Sequence, residues 1–539
     1  MKTTPIAAHP VNAETGCGRV KILLLCLLLL IVSCNGKSTE PDNYLHLRIN
    51  ANPTTLDPAY VVDVSGGAIC AKIFNGLVKL NENLEVVPDI AKSWTISRDS
   101  LKYTFYLNDN VTFHNGRLLT AKDVEYSLKR LLLPQTKSPN TWVVMSLLGA
   151  EEFLNGKAQS LEGIKVTDNY TVELNLKTPF APFIKLLTMP PAYIVPEAEV
   201  ERLKKGFANQ PTGTGPFQFS RWEPDSELIL SRFDGYFESK AKIAGIRYRV
   251  IPEDLTTVTE FMLGNLDITD VTVSSYKLFT TDPKYSKNLK TATGLNTYYL
   301  GLNNSKAPLN NVLLRAAIAH AIDRNKIRET YFQGRGTLAD GPIPETLKPY
   351  KLAGAYPYDP QRARQLVADS GYNKSEKLKF YVAAIQDSID IAEIITSFLK
   401  EAGIEVEIKV LEWSAYKSAI NKGETDLFWL GWWADYPDGE NFLYPLFHSS
   451  NFGPGGNRTR FTDKNTDRLI EEAQRTVDNK KREALYKNIE QKIVEESPAV
   501  FFWHRKDYVV TQPWIKHFTL SAIYSIDKGN FIEIDRYTK

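Results

Sequence analysis

Residues 377–433 read KLKFYVAAIQDSIDIAEIITSFLKEAGIEVEIKVLEWSAYKSAINKGETDLFWLGWW, and two periodicities alternate within this stretch. Apolar and charged residues alternate over 404–410, which is the period of a strand, whereas apolar residues recur at helical spacing over 388–402. In chain order we predict a strand, a helix, a strand, a helix and a strand, at 378–384, 388–402, 404–410, 413–422 and 426–430. This order predicts a parallel sheet with crossover helices, and hence an α/β fold class.

Three further signals lie outside this stretch. Asp359 and Pro360 are typical of the start of a helix, and Gly371 is typical of its end. Residues 120–123, TAKD, resemble a capping box that opens a helix running to about residue 132. Residues 217–233, FQFSRWEPDSELILSRF, predict a hairpin. Because hairpin and parallel regions are both present, we expect several lobes rather than one uniform sheet.

The composition is that of a soluble globular chain. The 539 residues are 43% hydrophobic and 24% charged, which excludes disordered and fibrous classes. At roughly 100–200 residues per domain, the length allows about three to five domain-sized units. Lys and Arg number 65 against 63 for Asp and Glu, so the formal net charge is +2, and the basic residues are scattered. We therefore expect no nucleic-acid partner.

Residues 1–33 have the features of a lipoprotein signal peptide. Arg19 and Lys21 flank the start of an apolar run, Ile22–Val32, whose 11 residues are too few to span a bilayer, which takes about 20. A translation start at Val20 rather than Met1 is an alternative that keeps the apolar run.

Cys34 follows Ile31-Val32-Ser33 in an arrangement that resembles the bacterial lipobox, in which cleavage precedes the cysteine and lipids are attached to it. Residues 34–43 then form a polar tether. We therefore predict that Cys34 is lipidated and that this anchor holds the body at a membrane surface, outside the cytoplasm.

Enzyme and metal signatures are weak. Residues 213–215, GTG, and 334–336, GRG, lack the third glycine of a dinucleotide fingerprint. The seven histidines show no metal-ligand spacing, and Cys70 is the one cysteine beyond residue 34, which leaves no disulfide framework and favours a core role for it. The sequence thus predicts no cofactor, no metal site and no catalytic residue, although two carboxylates that converge in space would escape this search.

The sequence predicts a ligand site at the end of the 426–430 strand, because ligands bind beyond the carboxyl ends of parallel strands. The strand leads there into residues 431–439, a predicted loop rich in tryptophan, glycine and aspartate. Trp432 and Asp435 suit a ligand with an apolar body and a cationic end. Trp429, inside the strand, is predicted to be core, and turn or core roles remain the alternative for the loop residues.

Seven longer segments carry a family resemblance that covers nearly everything after residue 44. They are NPTTLDPA (52–59), IFNGLVKLNENLEVVPDIAKSW (73–94), YTFYLNDNVTFHNGRLLTAKDVEYSLKRL (103–131), GTGPFQFSRW (213–222), YYLGLNNSKAPLNNVLLRAAIAHAIDR (298–324), YDPQRARQLVADSGY (358–372) and DLFWLGWWADYPDGENFLYPLF (426–447). In these segments the chain resembles the family 5 extracytoplasmic solute-binding proteins of ABC transporters, whose best-known members bind oligopeptides and dipeptides.

The resemblance implies a two-lobed periplasmic-binding-protein-like fold, α/β in class, with a two-stranded hinge and an extra subdomain in the first lobe. On this chain, lobe I takes residues 44–293 and 508–539, the subdomain takes 65–204, and lobe II takes 297–507. The ligand is expected to be enclosed between the lobes by hinge closure.

The resemblance also implies the binding residues. In the peptide binders a G-W-x-A-D string lines the cleft, and here it is Gly431-Trp432-Trp433-Ala434-Asp435. Its aspartate pairs with the α-ammonium of the peptide, and its backbone binds the peptide as an added strand. The opposing wall is implied at Val64, Ser65 and Gly66. Residues 385–387, IQD, lack the cation with which some members meet the peptide carboxylate, which favours longer peptides over strict dipeptides.

The sequence therefore predicts a lipid-anchored extracytoplasmic protein, monomeric and not an enzyme, that captures oligopeptides for an ABC permease and its ATPase subunits. Three alternatives remain open. The same fold binds a nickel chelate, haem, an opine or a sugar; the chain is a secreted enzyme with convergent carboxylates; or it is a signalling or adhesion lipoprotein without a transport partner.

Overall fold

The computed structural model describes residues 43–352 and 356–536, and residues 44–539 form one compact unit. The predicted signal peptide, the alternative start at Val20 and the lipidation site Cys34 lie outside the described residues, as does the tether apart from its last residue. Among the described residues, no helix has both the length and the apolar character needed to cross a membrane.

The parallel sheet predicted from residues 377–433 is confirmed. In spatial order the six strands of this sheet are Thr337–Leu338, Ala499–His504, Asn296–Leu302, Leu427–Trp433, Leu378–Ala383 and Val406–Leu411. The last three pair in parallel, and helices Gln386–Glu401 and Trp413–Lys422 connect them. Strand Leu427–Trp433 also pairs antiparallel with Asn296–Leu302, so the sheet is mixed, which the sequence did not predict.

The remaining strands form smaller sheets. One four-stranded sheet contains Tyr44–Ile49, Gly245–Val250, Glu227–Arg232 and Phe217–Glu223, and another contains Ala91–Ile96, Lys102–Leu107, Thr171–Asn175 and Ile164–Asp168. A three-stranded sheet contains Ile268–Asp270, Lys506–Thr511 and Leu289–Thr293. The two-stranded sheets pair Val78–Leu80 with Val86–Pro88 and Ile515–Lys516 with Glu533–Ile534. The hairpin predicted at 217–233 is confirmed, since its two strands pair antiparallel.

Several helices begin at a residue whose side chain caps the first turn. Their bounds, apart from the two crossover helices, are Val64–Ile73, Ala121–Leu132, Ala150–Leu154, Phe183–Leu186, Glu197–Leu203, Asp254–Met262, Tyr276–Thr281, Pro283–Ser286, Val312–Ala321, Arg324–Thr330, Pro360–Asp369, Glu440–Phe447, Lys464–Arg475 and Asn479–Glu496. The predicted capping box is confirmed, because Thr120 and Asp123 exchange backbone and side-chain hydrogen bonds. Asp359 caps its predicted helix by accepting hydrogen bonds from the amides of Gln361 and Arg362.

Two chain crossings connect the three-stranded sheet to the six-stranded sheet. Residues 293–296 make the first crossing and residues 504–506 make the second. The crossings are hydrogen bonded to each other: the amide of Gly294 donates to the carbonyl of Arg505 (3.1 Å), and the amide of Arg505 donates to Oδ1 of Asn296 (2.8 Å). This pair of crossings is the two-stranded hinge of a two-lobed fold. The predicted lobe and subdomain boundaries stay predictions.

Separate hydrophobic cores lie under separate sheets. The largest packs against the six-stranded sheet, and another is built almost wholly from residues 59–194. Tyr436, which comes from the segment after strand Leu427–Trp433, is buried in that second core. Cys70 is a buried free thiol, which confirms its predicted core role.

Candidate functional site

A cavity of about 780 Å³ lies at the carboxyl ends of the parallel strands. Ala383 and Trp433, the last residues of two of these strands, are in its wall. Val271 and Tyr508 contribute to the wall from the three-stranded sheet and its connection. The cavity therefore lies between the two sheets that the hinge connects, where ligands of open parallel sheets are expected.

Aromatic side chains dominate the wall. Nine of them line the cavity, and five are the tryptophans Trp413, Trp429, Trp432, Trp433 and Trp503. The rings of Trp429 and Trp503 lie 5.4 Å apart, and Tyr298 stacks on Trp503 at 6.5 Å. Trp429 is buried, as its predicted core role requires, and it also forms part of the cavity wall. The wall suits an apolar ligand body.

Strand Leu427–Trp433 ends three residues later than the sequence predicted. Residues 431–433 are strand rather than loop, because pairing with Asn296–Leu302 continues as far as Trp433 opposite Asn296. This partner strand lies more than 120 residues earlier in the chain. A local pattern therefore could not extend the strand.

The other edge of this strand is unpaired beside the cavity. Its pairing with Leu378–Ala383 ends at Phe428, and no described strand continues it. The amide of Ala434 donates to a carbonyl on the paired side (2.8 Å). Because backbone groups alternate between the two edges with a period of two, those of Gly431 and Trp433 point to the unpaired edge. This edge can accept an extended chain.

Asp435 follows the strand and lines the cavity. Water in the cavity reaches its side chain, yet protein surrounds it on most sides, and this desolvation raises its pKa in spite of a hydrogen bond from Asn441 Nδ2 to Oδ2 (3.4 Å). Asn441 is itself fixed, because its Oδ1 accepts from the amide of Asp435 (2.9 Å). Among the described residues no basic side chain forms an ion pair with Asp435. The carboxylate is therefore placed to pair with a cation supplied from the cavity.

Asp438, three residues further along, is buried and fully paired. Its Oδ2 lies 2.9 Å from Nζ of Lys185, and its Oδ1 accepts from the hydroxyl of Tyr486 (2.6 Å). Burial acts to raise the pKa of Asp438, but Lys185 and Arg482 outweigh it and the pKa is lowered. Lys185 comes from the part of the chain that builds the second core, so this ion pair joins that part to the cavity loop.

Glu440 is buried beneath the same loop. Its carboxylate accepts hydrogen bonds from the hydroxyl of Tyr436 and from Nε2 of Gln474 (2.7 Å). Desolvation raises the pKa of Glu440 to about 7. The loop that carries Asp435 therefore packs on two buried carboxylates, Asp438 with a lowered pKa and Glu440 with a raised pKa.

Basic side chains outnumber acidic ones around the cavity. The five basic residues are Arg335, Lys417, Arg458, Arg505 and Lys506, and the three acidic residues are Asp254, Asp387 and Asp435. From the sequence we predicted Asp435 as a site residue, but none of these basic residues. The cations lie on segments that are far apart in the chain, and the residues 334–336 that carry Arg335 were judged only as an incomplete dinucleotide motif.

The structure places some of the predicted site residues in the cavity wall and others outside it. Gly431, Trp432, Trp433 and Asp435 line the cavity, whereas Ala434 packs beside Ile523, outside the wall.

Val64, Ser65 and Gly66, the predicted opposing wall, form the first turn of helix Val64–Ile73 and do not line the cavity. Tyr524 lies between the two predicted walls: a Cβ on the next residue, Gly67, would fall 2.6 Å from its ring. Asp435 acts electrostatically on Tyr524, whose pKa desolvation raises. The roles of these residues in binding stay predictions.

No cluster suited to a metal is present among the described residues, since no three His, Cys, Asp or Glu side chains converge.

The comparisons with known proteins agree with this architecture. A sequence model described as bacterial extracellular solute-binding proteins, family 5 Middle, matches residues 85–454. The chain is 29% identical to heme-binding protein A of Haemophilus influenzae over 90% of this chain and 91% of that protein, and 27% identical to the dipeptide-binding protein of Escherichia coli over 84% and 87%. The solved structure of the periplasmic binding protein DppA from Helicobacter pylori, in complex with the peptide STSA, superposes with a TM-score of 0.78 at 27% identity, covering 92% of this chain and 98% of that one.

Proposed function

The chain belongs to the bacterial extracellular solute-binding proteins of family 5, and we propose that it captures oligopeptides between its two lobes and delivers them to an ABC permease with its ATPase subunits. The observation that carries the proposal is the unpaired edge of strand Leu427–Trp433, which ends beside Asp435 in the cavity. The strand edge lacks a hydrogen-bonding partner, and Asp435 lacks a cation. A peptide supplies both, through its extended backbone and its ammonium group.

The backbone of the peptide would add a strand to this edge. Gly431 and Trp433 supply amides and carbonyls there, and strand addition binds the main chain without reading side chains. Broad specificity follows from this mode, because the aromatic wall supports apolar side chains of different shapes.

The α-ammonium of the peptide would pair with Asp435. A carboxylate that is desolvated without a cation is unfavourable, which is why its pKa is raised. An ammonium group that reaches Asp435 supplies the missing charge and the missing hydrogen-bond donors. We retain Trp432, Ala434 and the Val64–Gly66 turn as contact residues in this proposal, the last two through closure of the lobes.

The lobe boundaries of the proposal are residues 44–293 with 508–539, and residues 297–507, with the extra subdomain at 65–204. All strands of the six-stranded sheet fall within residues 296–504, and the hinge crossings fall at 293–296 and 504–506, which supports this division. Anchoring through a lipidated Cys34 is also proposed, on the strength of the lipobox and tether alone. Mass spectrometry of the mature N-terminal peptide tests it, because an unmodified or uncleaved Cys34 would contradict it.

Haem is the second candidate ligand. The five indoles of the wall suit a flat apolar body, and heme-binding protein A is among the relatives that resemble this chain over most of its length. We favour peptides over haem because haem has no extended backbone that could pair with the unpaired strand edge.

Native mass spectrometry of the purified protein, followed by denaturation and identification of released molecules, tests both candidates. We expect a set of co-purified peptides whose lengths define the range that the cavity accepts. A single haem mass, or a protein that binds no member of a peptide mixture, would keep the fold and refute the peptide proposal.

Variants then test the ammonium contact. Asp435→Asn should weaken peptide binding roughly 100-fold, because truncating one partner of a desolvated charge pair costs about 3 kcal/mol. Asp387→Asn is the matched control, since Asp387 also lines the cavity but already accepts a hydrogen bond from the hydroxyl of Tyr331 (3.3 Å). Equal loss in both variants would assign the effect to the general charge of the cavity rather than to Asp435.

A further inference from the structure

The three-stranded sheet has one end at the hinge and another end far from it, which we call the distal end. Strand Lys506–Thr511 runs from the hinge crossing to the distal end. Strands Ile268–Asp270 and Leu289–Thr293 run antiparallel to it, so both begin at the distal end. The amide of Gln512 donates there to the carbonyl of Asp267 (2.8 Å). Neither of these two residues lines the cavity, so the distal end is separate from the ligand site.

The chain enters the compact unit at the distal end. The carbonyl of Tyr44 accepts a hydrogen bond from Nη2 of Arg536 (3.1 Å), and the same guanidinium pairs with Oδ2 of Asp267 (2.8 Å). The amide of His46 also donates to Oδ2 of Asp267 (2.8 Å). Cys34 is ten positions before Tyr44 in the sequence, and a chain of that length reaches at most about 35 Å. A lipid anchor on Cys34 therefore keeps the distal end close to a membrane.

Two apolar side chains are exposed at the distal end. Helix Asp254–Met262 ends there, and Met262 and Leu263 are 47% and 69% exposed. The end of the helix is held in place, because Nε2 of Gln512 donates to the carbonyl of Phe261 (2.6 Å). Two exposed apolar residues alone do not indicate a partner. The charges beside them decide what this surface can bind.

Three lysines lie at the same end. Lys284 and Lys287 come just before strand Leu289–Thr293, and Lys290 is its second residue. All three side chains are exposed, and none forms an ion pair with a described residue. Asp282 is the one acidic residue between positions 282 and 290, and its carboxylate accepts from the amide of Lys284 (2.8 Å). The distal end therefore has an excess of positive charge.

The apolar and the basic residues share one small core. The ring of Phe261, the residue before Met262, lies 6.0 Å from the ring of Tyr285, the residue after Lys284. Both rings pack with Phe279 in a core that also contains Val510. The exposed residues therefore belong to one surface. Apolar side chains beside lysines suit the boundary of an anionic bilayer, where the former enter the headgroup layer and the latter attract phosphate groups.

We propose that the distal end of lobe I contacts an anionic lipid bilayer, with Met262 and Leu263 at the headgroup level and with Lys284, Lys287 and Lys290 beside lipid phosphates. This inference rests on the lipid anchor proposed above and does not depend on the identity of the ligand. The anchor supplies the local concentration, so each lysine needs to add only a weak attraction, roughly fivefold in the binding constant.

Acetylation of lysines by acetic anhydride, an uncharged reagent, tests the contact. The mature lipidated protein is added to vesicles of phosphatidylcholine alone, or of equal parts of phosphatidylcholine and phosphatidylglycerol, and is recovered with them by flotation. Peptide mass spectrometry then gives the acetylation rate of each lysine. We expect Lys284, Lys287 and Lys290 to react at least about fivefold more slowly on the mixed vesicles. This difference should vanish at about 1 M salt, where charges are screened.

Lys480, Lys481 and Lys487 are the matched controls within the same sample. They are exposed lysines of helix Asn479–Glu496 in lobe II, and their acetylation rates should be the same on both kinds of vesicle.

A fluorescent label at position 263 tests the apolar part of the surface. Leu263→Cys is labelled with an environment-sensitive nitrobenzoxadiazole dye, while Cys70 is buried and stays unlabelled. We expect a blue shift of the emission on the mixed vesicles, and K284Q/K287Q/K290Q should remove it, whereas K480Q/K481Q/K487Q should not. Val477→Cys, at an exposed position of lobe II, is the control label and should show no shift.

The outcomes separate the contact from the anchor. A protein that floats with both kinds of vesicle, but whose three distal lysines react equally fast on both, would refute the contact and leave the anchor and peptide binding intact. Slower acetylation that appears only when the vesicles contain the permease would also refute it and assign the distal end to that partner. A protein that floats with neither kind of vesicle would refute the anchor and the contact together.

Discussion

Lys185→Met tests whether the ion pair between Lys185 and Asp438 forms as the lobes close. Lys185 Nζ lies 2.9 Å from Asp438 Oδ2 and 2.7 Å from the carbonyl of Pro437. Methionine keeps most of the apolar stem and removes the charge and both hydrogen bonds. Any effect then belongs to the ammonium group rather than to lost packing.

The loss of free energy expected in Lys185→Met depends on the groups that still contact Asp438. Breaking a fully buried ion pair costs about 3–5 kcal/mol. Here the carboxylate keeps the hydroxyl of Tyr486, the amide of Glu440 (3.1 Å) and the guanidinium of Arg482, 3.8 Å away. The side chain of Lys185 is also 25% exposed, which weakens the pair. We therefore expect a loss of about 2 kcal/mol, near that of a charged hydrogen bond.

If the contact exists only when the lobes are closed, this free energy shifts the equilibrium toward the open form. Peptide affinity should then fall roughly 30-fold, while the urea-unfolding free energy of the peptide-free protein changes little. Titration calorimetry measures the affinity, and small-angle scattering measures the expansion of the free protein. Lys177→Met is the matched control, since Lys177 pairs with Glu151 in an exposed contact of 3.8 Å.

An unchanged affinity combined with a lower unfolding free energy would refute this reasoning. The ion pair would then connect the second core to the cavity loop in the open form as well as in the closed form. Unchanged affinity and unchanged stability would show that Arg482 and Tyr486 compensate Asp438 completely.

Two further predictions concern the pH dependence of stability and the 334–336 turn. Folding raises the pKa of Glu440 from 4.5 to about 7, so its contribution to stability is complete below about pH 4.5 and is lost as the pH rises through 7, by up to roughly 3 kcal/mol. Glu440→Gln should therefore flatten the decline of the urea-unfolding free energy between about pH 5 and pH 8, whereas the exposed control Glu495→Gln should leave the slope unchanged. Gly336→Ala should destabilise the protein by more than the roughly 1 kcal/mol of a positive φ, because its Cβ would lie 2.7 Å from the carbonyl of His504. Gly371→Ala, at φ +70° with open space around it, should show only the conformational cost. A Gly336→Ala protein that keeps full stability would contradict the account of the turn.

Local pattern was enough to predict the elements of residues 377–433 and the parallel order of their strands. It was not enough for the end of strand Leu427–Trp433, because the partner that extends it, Asn296–Leu302, comes from a distant part of the chain. The resulting strand edge, rather than a loop, is what the cavity offers to a ligand. Sequence periodicity reports burial along one element and contains no information about which edge stays unpaired.

The charged residues of the site show the same limit. Asp435 was predicted because it lies in one continuous string with the tryptophans. Arg335 was not predicted, because its position depends on two glycines with positive φ and on the carbonyl of His504, which lies 168 positions after Gly336 in the chain. Asp438 was predicted as a turn residue at most, and its role as the partner of Lys185 appears only once two distant segments are packed together.

The position of Arg505 at the hinge has a consequence for the order of binding. Its backbone lies on the second crossing and is hydrogen bonded to Gly294 and Asn296 of the first crossing, so the part of the cavity wall beside Arg505 stays in place while the lobes rotate about the hinge. The Lys185–Asp438 contact, in contrast, joins segments that we assign to different lobes and expect to approach each other during closure. A peptide can therefore meet the part of the cavity beside the hinge while the lobes are open, and closure then forms the Lys185 contact. On this reasoning, Lys185→Met should mainly speed the dissociation of bound peptides and leave their association rate nearly unchanged, and stopped-flow measurements that show the opposite would exclude this order.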